Sequence, residues 1–383
     1  FMKVFQVFMS YPNSYQPYNN RLVEGLKEEH SVLKTFIVSL DPPKNKSEAD
    51  IIYPFQTRMF IRIKQRIIGL FLCIVNEGVG SDILKKSKIY GRYSFVIRNK
   101  EAVFHFHNLY SINKDLLPLL IKNKIKYIVS LRGYDVTIKP LMSKKNAELF
   151  SFVLQNSWKI HSVCKSLKEE ATALANIEES KVKVIYRTPN LKNLTKVKEV
   201  ANFDATVNLF TISRVHWKKC ISESLISIKE LLDEGYSVNY HIIGGFQGYE
   251  EEKLIFLIKK LNLTNNVFIH GYLKEEAYSE LLSNMHICWI PTVNEGLPNT
   301  LYYVLKSGFP TIAAATDGIP EVIIDNENGL LFEPYNFNDL AIKTKKMIDD
   351  DFLRMKVYKN AKNTILQEQE TETQQYIDLY TTH

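Results

Sequence analysis

The densest chemistry in the sequence lies between Pro291 and Pro310, where Glu295, Gly296, Leu297, Pro298, Asn299 and Thr300 follow an apolar run. A chain that leaves a strand at Pro291, turns through Glu295 and Gly296, and enters a helix with Pro298 near its first position presents the Asn299 and Thr300 NH groups at a helix N-terminus. The helix dipole favours an anion there. Arg214 ends the run from Val207 to Ser213, and Lys219 follows five residues later. If both runs are strands of one parallel sheet, these cations and the helix start share its carboxyl edge, where open α/β sheets bind ligands. A guanidinium fork, an ammonium group and backbone donors suit a diphosphate leaving group, whose charge grows as it departs. Gly244, closing the run from His241 to Ile243, adds a close backbone approach on the same edge.

In the first half, His105 and His107 end one apolar run, while Arg132, Gly133, Tyr134 and Asp135 end the next. Alternation along a strand points one of the two histidines into the protein, and His107 is the one weighed for direct function. Arg132 is always charged, so it can hold a phosphate or a sugar hydroxyl but cannot act as a general base. A His-x-His pair can ligate a metal, but no third ligand follows at metal-site spacing, so no bound metal is expected. Asp349, Asp350 and Asp351 read as a solvated helix junction.

These residues need strands to place them, and the pattern supplies them. Short apolar runs alternate with helical periodicity throughout, as in parallel sheets covered by helices on both faces. Val4 to Phe8, Val32 to Val38, Val103 to Phe106, Tyr127 to Leu131, Lys159 to Val163 and Val182 to Ile185 read as strands of a first domain. Val207 to Ser213, Val238 to Gly244, Val267 to Gly271, Ile287 to Pro291, Thr311 to Ala314 and Gly329 to Phe332 read as strands of a second. Between them, 187 to 203 has Pro189, several Asn and many Lys and reads as a linker. The domains are therefore 1–195 and 205–365. Lys345 to Gln369 reads as helix, and the tail over 366–383 either frays or packs back on the first domain.

At 383 residues the chain is long enough for two domains, since roughly 100 to 200 residues make one. Four scattered cysteines in apolar surroundings fit buried thiols in a reducing compartment better than disulfides or zinc. The longest apolar run, Ile67 to Val75, is well short of the roughly 20 residues that span a bilayer, and no secretion signal is visible. A cytoplasmic protein is expected. The net charge of +7 is unevenly divided: residues 1 to 200 hold 33 basic and 17 acidic side chains, the rest 16 and 25. The first half is thus suited to something anionic. Arg58, Arg62, Lys64 and Arg66 punctuate an apolar stretch that either lies on an anionic membrane or packs on the first sheet with its basic ends in water. Dispersed basic residues and no recognisable module argue against nucleic acid.

Read together, Ile212 to Lys219 resembles the G-R-L-x-W-K-K-G motif of retaining family 4 glycosyltransferases (glycosyl transferases group 1). Glu295 to Asn299, Gly308 to Pro310 and Thr316 to Val322 resemble that family's E-G-x-P-N, G-x-P and G-G-x-P-E segments, in order, over nearly all of residues 206 to 335. The resemblance implies a GT-B fold, two Rossmann-like doubly wound domains facing across a cleft, a UDP-sugar or GDP-sugar donor, and no cofactor or metal. It implies that Arg214 and Lys219 hold the diphosphate, that Glu295 binds a donor sugar hydroxyl, and that Gly296 to Thr300 cradle phosphate and sugar. Tyr272 and Leu273 would flank the base. His105 to His107 and Arg132 to Asp135 resemble the family's H-x-H and H-G-x-D segments, which makes His107, Arg132, Asp135 and Glu295 the catalytic candidates. The sequence also departs from the pattern. Tyr303 stands where a second Glu often contacts the ribose, Arg132 where a His is frequent, and Ser213 and Cys220 where glycines are usual. The expected activity is retaining transfer to a saccharide or lipid-linked saccharide in surface-polysaccharide synthesis. A catalytically silent sugar-nucleotide-binding subunit and a sugar-nucleotide epimerase are the alternatives. A dehydrogenase is disfavoured, because no GxGxxG follows Val4 to Met9.

Overall fold

In a computed structural model, residues 1–12, 17–29, 31–42, 50–55, 59–188, 203, 206–364 and 369–382 are described. The chain divides into two compact units, 1–188 with 367–383, and 189–366. Most of the 187–203 linker, and Arg58, lie outside the described residues.

Among the described residues the first unit holds seven strands: β1 (Met2–Phe8), β2 (Leu33–Ser39), β3 (Ile51–Ile52), β4 (Val103–Phe106), β5 (Tyr127–Leu131), β6 (Lys159–Ser162) and β7 (Val182–Val184). They pair in parallel in the order β3-β2-β1-β4-β5-β6-β7. β4 and β5 are buried at every position, as strands covered on both faces must be, and that is why they read as continuous apolar runs rather than alternating ones. The two-residue β3 is too short to leave a periodic signal in the sequence. The helix Gln369–Thr381 belongs to this unit. Its Tyr376, Ile377, Leu379 and Tyr380 are buried with Val4, Leu26, Val103 and Ile128, so the tail completes the first core.

The second unit repeats the plan with β8 (Val207–Ile212), β9 (Val238–Ile243), β10 (Val267–Gly271), β11 (Ile287–Ile290), β12 (Thr311–Ala314) and β13 (Leu330–Phe332). Their order is β10-β9-β8-β11-β12-β13. Chain order reverses between β1 and β4 in the first sheet and between β8 and β11 in the second, and each reversal leaves a crevice at the carboxyl ends. The helix expected over Lys345 to Gln369 is interrupted. Phe337–Asp349 and Asp351–Lys362 are separate helices, because Asp350 leaves helical geometry (φ −104°, ψ 93°) and accepts the Leu353 NH at 2.9 Å as an N-cap.

The helix Met59–Glu77 packs against Ile83–Arg92 with backbone nearly touching backbone. A Cβ on Gly69 would stand 2.0 Å from the Ser87 carbonyl oxygen, and one on Gly91 2.3 Å from that of Gln65. The face turned away from this contact carries Phe60, Ile63, Ile67, Leu70, Phe71, Ile74 and Val75, all exposed; Phe60 is 88% and Phe71 67% accessible.

Candidate active site

In the second unit the loops that leave β8 and β11 are tied together. The Lys218 carbonyl accepts from the Val293 NH and the Thr292 hydroxyl, both at 2.9 Å, and the Lys219 ammonium donates to Glu295 Oε2 at 2.5 Å. The Lys218 ammonium stands 3.8 Å from the same oxygen. Burial depresses the Lys218 pKa, and Glu295 opposes that shift. The Glu295 NH donates to Asp317 Oδ2 at 2.5 Å, and the Gly296 carbonyl accepts from the Gly318 NH at 2.9 Å, which fastens the loop after β11 to the loop after β12. Three successive loops of the carboxyl edge are thereby held in one register. Between them a hollow of about 20 Å³ is lined by Ser213, Lys219, Pro291, Thr292, Pro298 and Thr300, room for one water or one phosphate oxygen.

The structure brings Lys219, Glu295, Gly296 and Thr300 together as the spacing implied. Pro298 is the N-cap of the helix Asn299–Ser307 and gives it no side-chain cap, while the Thr300 hydroxyl donates to the Ile212 carbonyl at 3.2 Å. Leu297 is 4% exposed, so its side chain anchors the turn and only its backbone can face a ligand. Arg214 is exposed and donates to Gln247 Oε1 at 2.9 Å. Gly244 has φ +147°, and a Cβ there would meet the Ser213 carbonyl oxygen at 2.0 Å. The close approach expected at Gly244 is thus to the chain leaving β8. Tyr272, 83% exposed, and Leu273 follow Gly271 (φ +64°) at the end of β10. Tyr303 is half-buried and hydrogen-bonded to Tyr278, whose hydroxyl pKa is raised by burial and by Tyr303. Cys220, in the place of a usual glycine, has φ +49°, the left-handed backbone that a glycine adopts without strain.

In the first unit the expectation for the histidines is corrected. Residues i and i+2 of a strand share a face, so His105 and His107 point the same way. Both are fully buried, with ring centroids 4.2 Å apart. They belong to a hydrogen-bonded chain whose polarity its ends dictate, since an arginine can only donate and a carbonyl only accept. Arg132 Nη2 donates to His107 Nδ1 at 3.1 Å, and His107 Nε2 donates to Gln6 Oε1 at 2.7 Å. Gln6 Nε2 donates to the Tyr380 hydroxyl at 3.0 Å, and that hydroxyl donates to His105 Nδ1 at 2.8 Å. His105 Nε2 donates to the Ser130 hydroxyl, which donates to His161 Nδ1, each at 2.7 Å, and His161 Nε2 ends on the Ile185 carbonyl at 3.2 Å.

Each histidine in this chain is neutral and held in one tautomer. Burial first, then neighbouring charge, pushes all three pKa values well below the ordinary value. His107 has both ring nitrogens engaged and no exposure, so it is not placed to take a substrate proton; it orients Arg132. Asp135 is buried as well. Its carboxylate accepts the NH groups of Arg132 and Gly133 at 3.0 Å and of Leu109 at 3.3 Å, which fixes the turn after β5. Burial raises its pKa and these backbone donors oppose the rise. Gln6, Ser130, His161 and Tyr380 are the members of this arrangement that single-residue reasoning does not find, because their roles depend on pairing across four strands and the terminal helix.

Residues 195–364 match the family model for glycosyl transferases group 1. An uncharacterized glycosyltransferase of Methanocaldococcus jannaschii is 28% identical over 70% of this chain and 71% of its own length. The poly(ribitol-phosphate) alpha-N-acetylglucosaminyltransferase of Staphylococcus aureus is 26% identical over 66% of this chain, which spans about half (49%) of that relative. Among solved structures, Anabaena HepE in complex with UDP and glucose aligns over 100% of both chains with a TM-score of 0.73 at 14% identity. The structure of TarM aligns over 100% of both chains, with a TM-score of 0.73 and 13% identity. These likenesses carry the GT-B fold.

The neutral histidines make stability depend on pH. The unfolded chain binds protons near pH 6.5 that the folded first unit refuses, so the histidine contribution is complete above that value and declines as pH falls below it. Thermal denaturation between pH 7.5 and 5.5 should show stability falling, by up to roughly 1.4 kcal/mol per pH unit for each histidine that must stay neutral. A midpoint that does not move over this range would contradict the neutral chain.

Proposed function

We propose that this chain, a glycosyltransferase of group 1 with the GT-B fold, moves a sugar from a nucleoside diphosphate sugar to a lipid-linked saccharide with retention of anomeric configuration. The observation that carries the reading is the joined edge of the second unit, where Lys218, Lys219 and Glu295 meet beside the start of the helix Asn299–Ser307. Two ammonium groups and the backbone of a helix start suit a diphosphate, and Glu295, oriented by Lys219, suits a sugar hydroxyl. Arg214 adds a fork at the rim. UDP is the nucleotide named with HepE, which makes a UDP-sugar the first donor to test.

In a retaining front-face transfer the bond from the anomeric carbon to the diphosphate oxygen breaks as the acceptor oxygen bonds on the same side. The acceptor proton passes to the departing phosphate oxygen. No protein nucleophile is required, which agrees with a Glu295 already engaged by a cation and an Arg132 that cannot be a base. The site residues then stabilise the charge gathering on the leaving group.

The acceptor reading draws on two further observations. The Staphylococcus relative is named for poly(ribitol-phosphate), and a Campylobacter jejuni relative, 27% identical over 47% of this chain, is named for a diphospho-undecaprenol-linked sugar. The exposed apolar face of Met59–Glu77 is flanked by exposed Arg62, Lys64 and Arg66, an amphipathic helix suited to the surface of an anionic bilayer. No helix among the described residues is long and apolar enough to cross a membrane. We place the protein in the cytoplasm, on the membrane surface.

Two measurements check this. Incubation with UDP- and GDP-sugars, with and without a lipid-linked saccharide, should release nucleoside diphosphate, and Lys219→Ala should lower kcat/KM by about 10²-fold or more. Nucleotide binding without any hydrolysis or transfer would favour the silent-subunit alternative. The chain should also sediment with vesicles containing phosphatidylglycerol and much less with neutral ones, and Phe60→Ser with Phe71→Ser should abolish this; equal recovery of the double variant would refute the surface helix.

A further inference from the structure

The carboxyl edge of the first sheet gathers guanidinium groups that the donor site does not use. Arg132 follows β5 and Arg187 lies just beyond β7, and their charge centres stand 5.3 and 3.8 Å from the centroid of one ring, Tyr18. Arg187 is 8% exposed. Arg132 is half-buried, and its Nη1 is enclosed without a hydrogen-bond partner among the described residues. Like charges held this close repel, more strongly in a desolvated site than in water. Burial and the neighbouring Arg132 both depress the Arg187 pKa.

The carboxylates nearby offset part of this charge, Asp135 acting on Arg132 through space, but none of them pairs with Arg132 directly among the described residues. Asp135 is engaged by three backbone NH groups, as described. Glu372 accepts the Thr188 NH at 2.7 Å and faces Arg187 and Arg21. Arg132 makes no side-chain ion pair among the described residues. Its orientation is nevertheless fixed, because Nη2 and Nε donate to His107 Nδ1 and to the His107 carbonyl. The buried chain from Ile185 to His107 therefore holds one edge of the guanidinium and leaves Nη1 without a partner among the described residues.

We propose that Arg132 and Arg187, steadied by the Tyr18 ring, bind a phosphate or diphosphate group carried by the acceptor, in a site made of first-unit residues alone. The proposal rests on the glycosyl-transfer reading above for calling the ligand an acceptor; the anion site itself does not. A planar fork beside a second fixed cation matches a phosphate better than a neutral sugar hydroxyl, since the donors are charged and already desolvated.

Calorimetric titration of the full chain with inorganic diphosphate tests this, with UDP titrated in parallel. The wild type should bind diphosphate at two sites. Arg214→Ala should weaken one, while Arg132→Gln should weaken the other at least tenfold and leave UDP affinity within twofold. Arg187→Lys, which keeps the charge and loses the fork, should weaken the same site as Arg132→Gln and guards against a folding defect. Geranyl diphosphate in place of inorganic diphosphate separates the sources: tighter binding points to a lipid diphosphate, equal binding to a phosphate on the glycan. A single diphosphate site that Arg214→Ala removes, or UDP affinity that falls in step with diphosphate affinity in Arg132→Gln, would overturn the proposal. Failure of UDP to bind at all would instead count against the donor reading.

Discussion

The candidate site of the second unit depends on one short loop pairing. The segment after β8 and the segment after β11 leave neighbouring strands at the point where chain order reverses, and two hydrogen bonds to the Lys218 carbonyl lock one against the other. Without that register Lys219 would not reach Glu295, and the helix start at Asn299 would have no fixed relation to the cations. Glu295 in turn is held through its own NH by Asp317. A half-buried lysine and glutamate paired this closely are more than a surface ion pair, because removing either leaves the other partly desolvated and unmatched. Lys218, Lys219 and Arg214 act together against Glu295 and Asp317, so positive charge remains for an anion.

The first unit solves a different problem with its own parallel sheet. Three histidines, a glutamine, a serine and a tyrosine occupy positions where an apolar core would serve for stability, and each is satisfied by the next. A fully satisfied buried network specifies one arrangement at a low dielectric, where an unpaired member would be costly. Its practical effect is at the end: a guanidinium held as a donor at the carboxyl edge. The terminal helix contributes Tyr380 to this chain, so residues far apart in sequence are coupled to Arg132.

Much of this was legible in the sequence, for physical reasons. Strands buried on both faces leave continuous apolar runs, so the runs read over Val4 to Phe8, Tyr127 to Leu131 and Thr311 to Ala314 coincide closely with β1, β5 and β12. Lys219 and Glu295 meet because carboxyl edges are common ground in a parallel sheet. What the sequence hid was pairing across strands and side-chain fate. His107 and Asp135 look like catalysts by type and position, yet both are buried and committed to Arg132 or to backbone. Leu297 lies in the turn between Glu295 and Asn299 but packs inward. The break at Asp350 falls within a helical pattern that only the cap interrupts. Cys220 keeps the left-handed turn of the glycine it replaces, so that departure changes strain rather than geometry.

Isothermal calorimetry with UDP and GDP, on the wild type and on Arg214→Ala and Glu295→Ala, tests the central claim most directly. The account predicts saturable binding of one nucleotide, clearly weakened by Arg214→Ala, and, for its sugar conjugate, a further affinity that Glu295→Ala removes. Absence of binding by either nucleotide, or binding indifferent to Arg214, would contradict a donor site at the joined edge of the second sheet.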